Sequence, residues 1–186
     1  MASTTRDLIL ASSTGIIFSS AFFGANAALT FIALPSYQLP APSKPFLPAS
    51  EQGLLARQWQ YCYSVGSKAG PVLALGSASA FIYASRLVAS ESSSRALYLG
   101  AAALNVMIVP FTALFMDRTN NELHRRANNY TAQSSDVGPK KDAQQGSIEE
   151  AETIGLFAWW NKLNLVRASF HLAAAALGVT ALNLSL

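Results

Sequence analysis

The apolar positions of the chain fall into four long runs separated by polar or proline-rich connections. Leu8 to Leu34 can cross a hydrocarbon layer of about 30 Å with residues to spare. It reads as a retained span, because the apolar core of a secretory leader is shorter. Within it Ser12, Ser19 and Asn26 recur at seven-residue steps, with Ser13, Ser20 and Gly24 beside them. Such a small, polar seam predicts close packing against neighbouring helices. Pro35, Pro40, Pro42, Pro45 and Pro48 then break the helix and predict an extended connection.

Glu51 to Lys68 regains helical spacing and carries Trp59, Tyr61 and Tyr63, rings that favour the membrane–water boundary, so a short interfacial helical segment is expected in the first loop. The second span is predicted over about 70–89 and the third over about 96–116. The connection from Ser90 to Arg95 is short enough to make them antiparallel neighbours. Pro110 lies in the third span and cannot donate to the carbonyl of Val106, which predicts a kink. Helical spacing continues past Met116 and places Asn105, Thr112, Met116, Thr119 and Leu123 on one face. Residues 127–146 are rich in Ser, Gln, Asn, Lys and Asp without an apolar period, and are expected to form a flexible third loop. The fourth span is predicted over about 163–186. The fold class expected is all-α, a single four-transmembrane-helix domain covering residues 1–186.

Composition agrees with this pattern. Hydrophobic residues make up 51% of the 186 and charged residues 12%, against roughly 25% charged in a soluble domain. An integral membrane protein in contact with a lipid bilayer is therefore expected. The net charge of +3 implies no nucleic-acid partner, since the basic residues share their loops with almost as many acids. One cysteine, Cys62, excludes an intrachain disulfide and the paired cysteines of a claudin-like first loop. Lys and Arg concentrate in the first and third loops, which the positive-inside rule places in the cytoplasm. The triplet Asn129-Tyr130-Thr131, a glycosylation acceptor pattern, argues for the opposite orientation.

The chemistry of the chain concentrates in the fourth span. At about 100° per residue, Trp160, Asn161, Asn164, Arg167, Ala168, His171, Ala175 and Gly178 share one face, which should point into the bundle. A cation inside a span costs at least ~2.5 kcal/mol on insertion scales, so it needs a partner, a wet cavity or a function. Arg167 can simply fix helix register by pairing with a carbonyl or with Asp117. His171, one turn deeper, allows a second reading: a neutral imidazole as proton acceptor beside a guanidinium that stabilises the resulting anion. Metal chemistry is poorly supported. His124 and His171 are the only histidines, and with Met116 they offer at most a sparse copper site. No metal site and no cofactor are expected, with copper left open, and no Gly-rich dinucleotide loop is present.

The run Asn105…Pro110-Phe111-Thr112…Met116…Thr119-Asn120…Leu123, followed by Trp160…Leu163-Asn164…Arg167, resembles the DUF1772 family, whose fungal members include anthrone oxygenases. Gly24 and Trp59…Tyr63…Gly66…Pro71 extend the resemblance over nearly the whole chain. The resemblance implies a membrane monooxygenase of secondary metabolism that oxidises a polyketide anthrone to an anthraquinone with molecular oxygen and without a nucleotide cofactor. It places the protein in the endoplasmic reticulum or vesicles derived from it, with a homo-oligomer left open. The implied roles are His171 or His124 as base, Arg167 and Asn164 as anion donors, and Thr119 and Asn120 as ordering groups, with Thr112 nearby. The rings of Trp159 or Trp160 and of Phe111 would stack on the planar substrate. The alternative is a non-catalytic four-span scaffold or accessory protein.

Overall fold

A computed structural model describes residues 2–37, 49–135 and 143–186, and everything described in them is helical or a short turn. Helix α1 (Ala2–Ala28) continues through a π-helical turn, Leu29–Ala33, into α2 (Leu34–Tyr37). Helix α3 covers Ala49–Leu87 and α4 Ser93–Val106. After α4 come α5 (Ile108–Phe111), a second π-helical turn at Thr112–Met116, and α6 (Asp117–Ser135). The last helix, α7, runs from Ala143 to Ser185. Helix α1 packs on α3 and α7, and α4 packs on the same two, so four helical columns stand at the corners of a bundle.

Three helical stretches are long and apolar enough to cross a membrane: Ser3–Ser36, Ser93–Asn129 and Glu152–Ser185. This marks a membrane protein. Helix α3, expected to hold the second span at 70–89, is not among them, because its apolar half itself carries Pro71, Ser77, Ser79, Ser85 and Arg86.

Several sequence expectations need correction. The interfacial segment at Glu51 to Lys68 is not separate, because α3 passes unbroken through Pro71. Trp59 is fully buried among its neighbouring helices, while Tyr61 is exposed. The break in the third column falls at Met107, where α4 ends, and the π-helical turn follows Pro110. A ring without an N–H leaves the Val106 carbonyl unserved, and the chain resolves this by ending one helix and starting the next. Residues 127–135 continue α6, with Ala127 fully buried, where a loop was expected. Helix α7 already includes 143–146, and residues 136–142 of that loop lie outside the described residues.

The core is layered along the bundle. One apolar cluster holds Leu8, Phe81, Tyr98, Ala101, Ala174 and Ala181. Another, at the opposite end, holds Leu34, Leu55, Trp59, Met116, Phe157 and Trp160. Between them lies a small cluster of Phe22, Ala74 and Ile108, with buried His171 against Phe22. Phe81 is the wedge of the first layer. Its ring occupies the space that a Cβ at Gly15 or Gly178 would need, 2.7 and 2.5 Å away, so those glycines let α1 and α7 close on it.

Gly178→Ala is expected to overpack this layer and cost about 1–3 kcal/mol. Thermal unfolding in detergent should show a lowered midpoint, partly restored by adding Phe81→Leu. Gly24→Ala, which meets nothing within 4 Å, should leave the midpoint almost unchanged.

Candidate functional site

The face of α7 predicted to point inward does so. Trp160, Asn164, Ala168, His171, Ala175 and Gly178 are buried, and Asn161 and Arg167 are half-buried. The seam of α1 points inward too, each of its three members meeting a different helix. Ser12 Oγ lies 2.7 Å from the Tyr98 hydroxyl, and Ser19 Oγ lies 2.7 Å from Ser77 Oγ. One step further along, Asn26 Oδ1 accepts from Arg167 at 3.0 Å. The seven-residue step of the seam therefore delivers one polar contact to the bundle interior at each level.

Among the described residues, Arg167 is held by amide oxygens and not by a carboxylate. Its Nη2 donates to Asn26 Oδ1 at 3.0 Å and to Asn164 Oδ1 at 2.7 Å, and its guanidinium carbon sits 6.0 Å from the Phe22 ring centroid. Asp117, the alternative partner expected from sequence, instead accepts from Asn121 at 3.0 Å. Asn164 Nδ2 donates to Thr30 Oγ1 at 3.1 Å. The π-helical turn shapes this corner. Leu34 donates to the Leu29 carbonyl, and Pro35, next in line for the carbonyl of Thr30, has no N–H to give. Asn161 Nδ2 takes that carbonyl at 3.3 Å. Arg167 Nε remains buried with no hydrogen-bond partner.

His171 is 0% exposed and lies one turn deeper. Its Nδ1 is 2.6 Å from Asn105 Oδ1, and the Phe22 ring covers it at 3.9 Å between centroids. Its Nε2 is buried with no partner. His124 is built the opposite way. Its Nδ1 accepts from Gln60 Nε2 at 3.1 Å, and its ring meets Trp59 at 5.0 Å and Tyr63 at 4.8 Å. The two histidines thus belong to different networks. Among the described residues no three His, Cys, Asp or Glu side chains come together.

The remaining predicted residues divide between core and surface. Trp160 is buried, and its indole N–H donates to Asn120 Oδ1 at 2.8 Å. Trp159 is 53% exposed and, with Thr119, lines an open groove of about 610 Å³ between α6 and α7. Arg118, Glu122, Arg126 and Glu152 also line it, and Arg126 bridges Glu122 at 2.8 Å and Glu152 at 3.1 Å. Phe111 is half-buried and meets Phe170 edge-on at 5.3 Å. Thr112, also half-buried, opens the second π-helical turn. The sequence reading gave no site role to Asn26, Thr30, Phe22 or Asn105. The seam in α1 and the Asn105 face were visible signals, but neither names its partners.

The architecture defines an all-helical membrane protein with a polar, partly unsatisfied layer enclosed between two apolar ones. The chain belongs to the anthrone oxygenase family, whose model matches residues 59–177. It is 34% identical over 68% of its length to the anthrone oxygenase encC of Aspergillus fumigatus, covering 69% of that protein. It is 30% identical over 68% of its length to the anthrone oxygenase ptaC of Pestalotiopsis fici, covering 83% of it. The monooxygenase hypC of Dothistroma septosporum is 29% identical over 67% of the chain, which spans 61% of that relative's length. No solved structure matches.

Asn120→Leu should leave the buried Trp160 N–H without an acceptor, at a cost of about 1–3 kcal/mol. The check is the unfolding midpoint in detergent, which should fall well below that of Asn121→Ala, a change at an exposed position.

Proposed function

We propose that the chain is a monooxygenase that converts a polyketide anthrone to an anthraquinone with molecular oxygen, and that Arg167 and His171 carry the chemistry. The observation behind this reading is a mismatched pair in the bundle interior: a buried donor with nothing to donate to, Arg167 Nε, and a buried imidazole nitrogen without a partner, His171 Nε2. Unsatisfied groups of this kind cost free energy in an apolar interior, and a substrate that satisfies both recovers it. The two residues are one helical turn apart, a rise of about 6 Å. An anthrone has the complementary shape, with an acidic methylene on one edge of its central ring and a carbonyl oxygen on the opposite edge.

In this reading His171 Nε2 takes a proton from the methylene, and the electron pair spreads through the ring to the carbonyl oxygen. Arg167, oriented by Asn26 and Asn164, stabilises the oxygen's charge. The anion reduces molecular oxygen and forms a carbon–oxygen bond at the former methylene. The imidazolium returns its proton to the distal oxygen of the peroxide. Loss of the second methylene hydrogen and cleavage of the O–O bond then give the quinone carbonyl and one water. One base serves throughout and ends as it began, and no external reductant is consumed.

His124 suits the base role less well, since its Nδ1 lone pair is occupied by Gln60. Trp160 is committed to Asn120, which leaves Trp159 in the α6–α7 groove as the ring available to an arriving planar substrate. Helix α3 would complete a four-span bundle, its apolar half shielded by α1 and α4. The lipid bilayer would be that of the endoplasmic reticulum or derived vesicles, where apolar anthrones partition.

The test is quinone formation from an anthrone by purified protein in oxygenated detergent solution. His171→Gln should lower turnover by roughly 10²-fold or more, while His124→Gln should keep most of it. Asn26→Asp is nearly isosteric and places a carboxylate against the guanidinium, so it should retain fold and lose turnover by competing with the substrate anion. Undiminished rates in well-folded His171→Gln protein would remove His171 from the chemistry.

A further inference from the structure

The hydrogen bonds around Asn105 determine more than packing. Asn105 is 0% exposed on α4, and its Nδ2 lies 2.9 Å from the carbonyl oxygen of Ala101. A carbonyl only accepts, so the nitrogen of the amide must face it, and this fixes which way round the amide sits. Oδ1 is then the atom that faces His171 Nδ1 at 2.6 Å. An amide oxygen also only accepts, so the proton of the neutral imidazole must be on Nδ1. Its second nitrogen, Nε2, is left with a bare lone pair and no partner. Ser19 Oγ also lies 3.1 Å from the same Oδ1. Ser77 Oγ lies 2.7 Å from Ser19 Oγ and 2.8 Å from the Gly15 carbonyl. Two hydroxyl protons serve these three contacts, so the orientation of the amide is set by the Ala101 carbonyl and not by the serines.

We infer that Asn105 is the positioning residue of the reaction: it holds His171 in the Nδ1–H tautomer, so that Nε2 is the unprotonated nitrogen that meets the substrate. Asn105 does not touch the substrate. It acts through His171, as an orienting acceptor does for a catalytic imidazole in general, and an imidazole in the other tautomer presents an N–H where a base is needed. Phe22, set against the same ring at an interplanar angle of 37°, restrains its movement while Asn105 sets its protonation pattern. The amide has a further consequence. Having no acidic proton to pass on, it ends the hydrogen-bond chain electrically, so the proton gained at Nε2 cannot leak through Nδ1 toward the serines and must leave by Nε2. That is the path needed to return it to the peroxide. The role assigned to Nε2 rests on the proposed reaction; the tautomer itself does not.

The chain has two histidines, which makes the tautomer directly readable by nitrogen NMR of full-length protein labelled with ¹⁵N-histidine in detergent, with His124→Gln to assign the signals. In the His124→Gln background, His171 should show a protonated Nδ1 and a bare Nε2 at neutral pH. Asn105→Ala should shift it toward the Nε2–H form and lower kcat by roughly 10²-fold with little change in KM. A His171 protonated on Nε2 with Asn105 intact overturns the inference, and that measurement needs no Asn105 variant to fold. An unchanged tautomer in folded Asn105→Ala overturns it as well. The expected tautomer in a protein that oxidises no anthrone would instead count against the proposed reaction and leave the Asn105–His171 geometry standing.

Discussion

A half-buried cation and a buried imidazole inside an apolar bundle impose the constraint from which most of the structure follows. Neither group can be left bare in that interior, and a carboxylate partner would neutralise Arg167 for any other purpose. The chain uses amide oxygens instead. Asn26 and Asn164 hold Arg167, and Asn105 holds His171. Amide oxygens orient a donor while leaving the net charge in place, so the positive charge of Arg167 stays available to an anion formed nearby.

The apolar layers above and below the polar one serve this arrangement. Phe81, admitted by Gly15 and Gly178, draws α1 and α7 together at one end. The Trp59–Trp160 contact, edge-on at 5.7 Å, ties α3 to α7 at the other. The Phe81 wedge between Gly15 and Gly178 opposes sliding of Asn26 on α1 past Arg167 on α7. The two π-helical turns flank the layer, one carrying Thr30 and the other ending at buried Met116. Each adds a residue to its turn, which re-aims the following side chains. In the first, this places Thr30 against Asn164 and frees a carbonyl for Asn161.

Much of the site could be read from helical periodicity. The face Trp160–Asn164–Arg167–His171 follows from a 3.6-residue repeat, and the seam Ser12–Ser19–Asn26 from a seven-residue one. What periodicity lacks is partnership between columns. Nothing in the seam says that Asn26 rather than Asp117 meets Arg167, because that depends on helix order and register. One-residue insertions such as the π-helical turns leave no mark in an apolar pattern, so Pro110 could be read only as a kink. The packing role of Trp59 was hidden for a related reason. An aromatic residue in a polar stretch looks interfacial until the burial of α3 against α6 is known.

The account turns on proton removal preceding oxygen chemistry, and those two events can be separated. Without oxygen, in D₂O, the protein should still exchange the methylene hydrogens of an anthrone for deuterium faster than buffer and detergent do, as read by mass spectrometry of the recovered substrate. His171→Gln should abolish that excess. Oxidising protein that gives no exchange above background in the absence of oxygen would contradict the base mechanism and require a path that begins with oxygen.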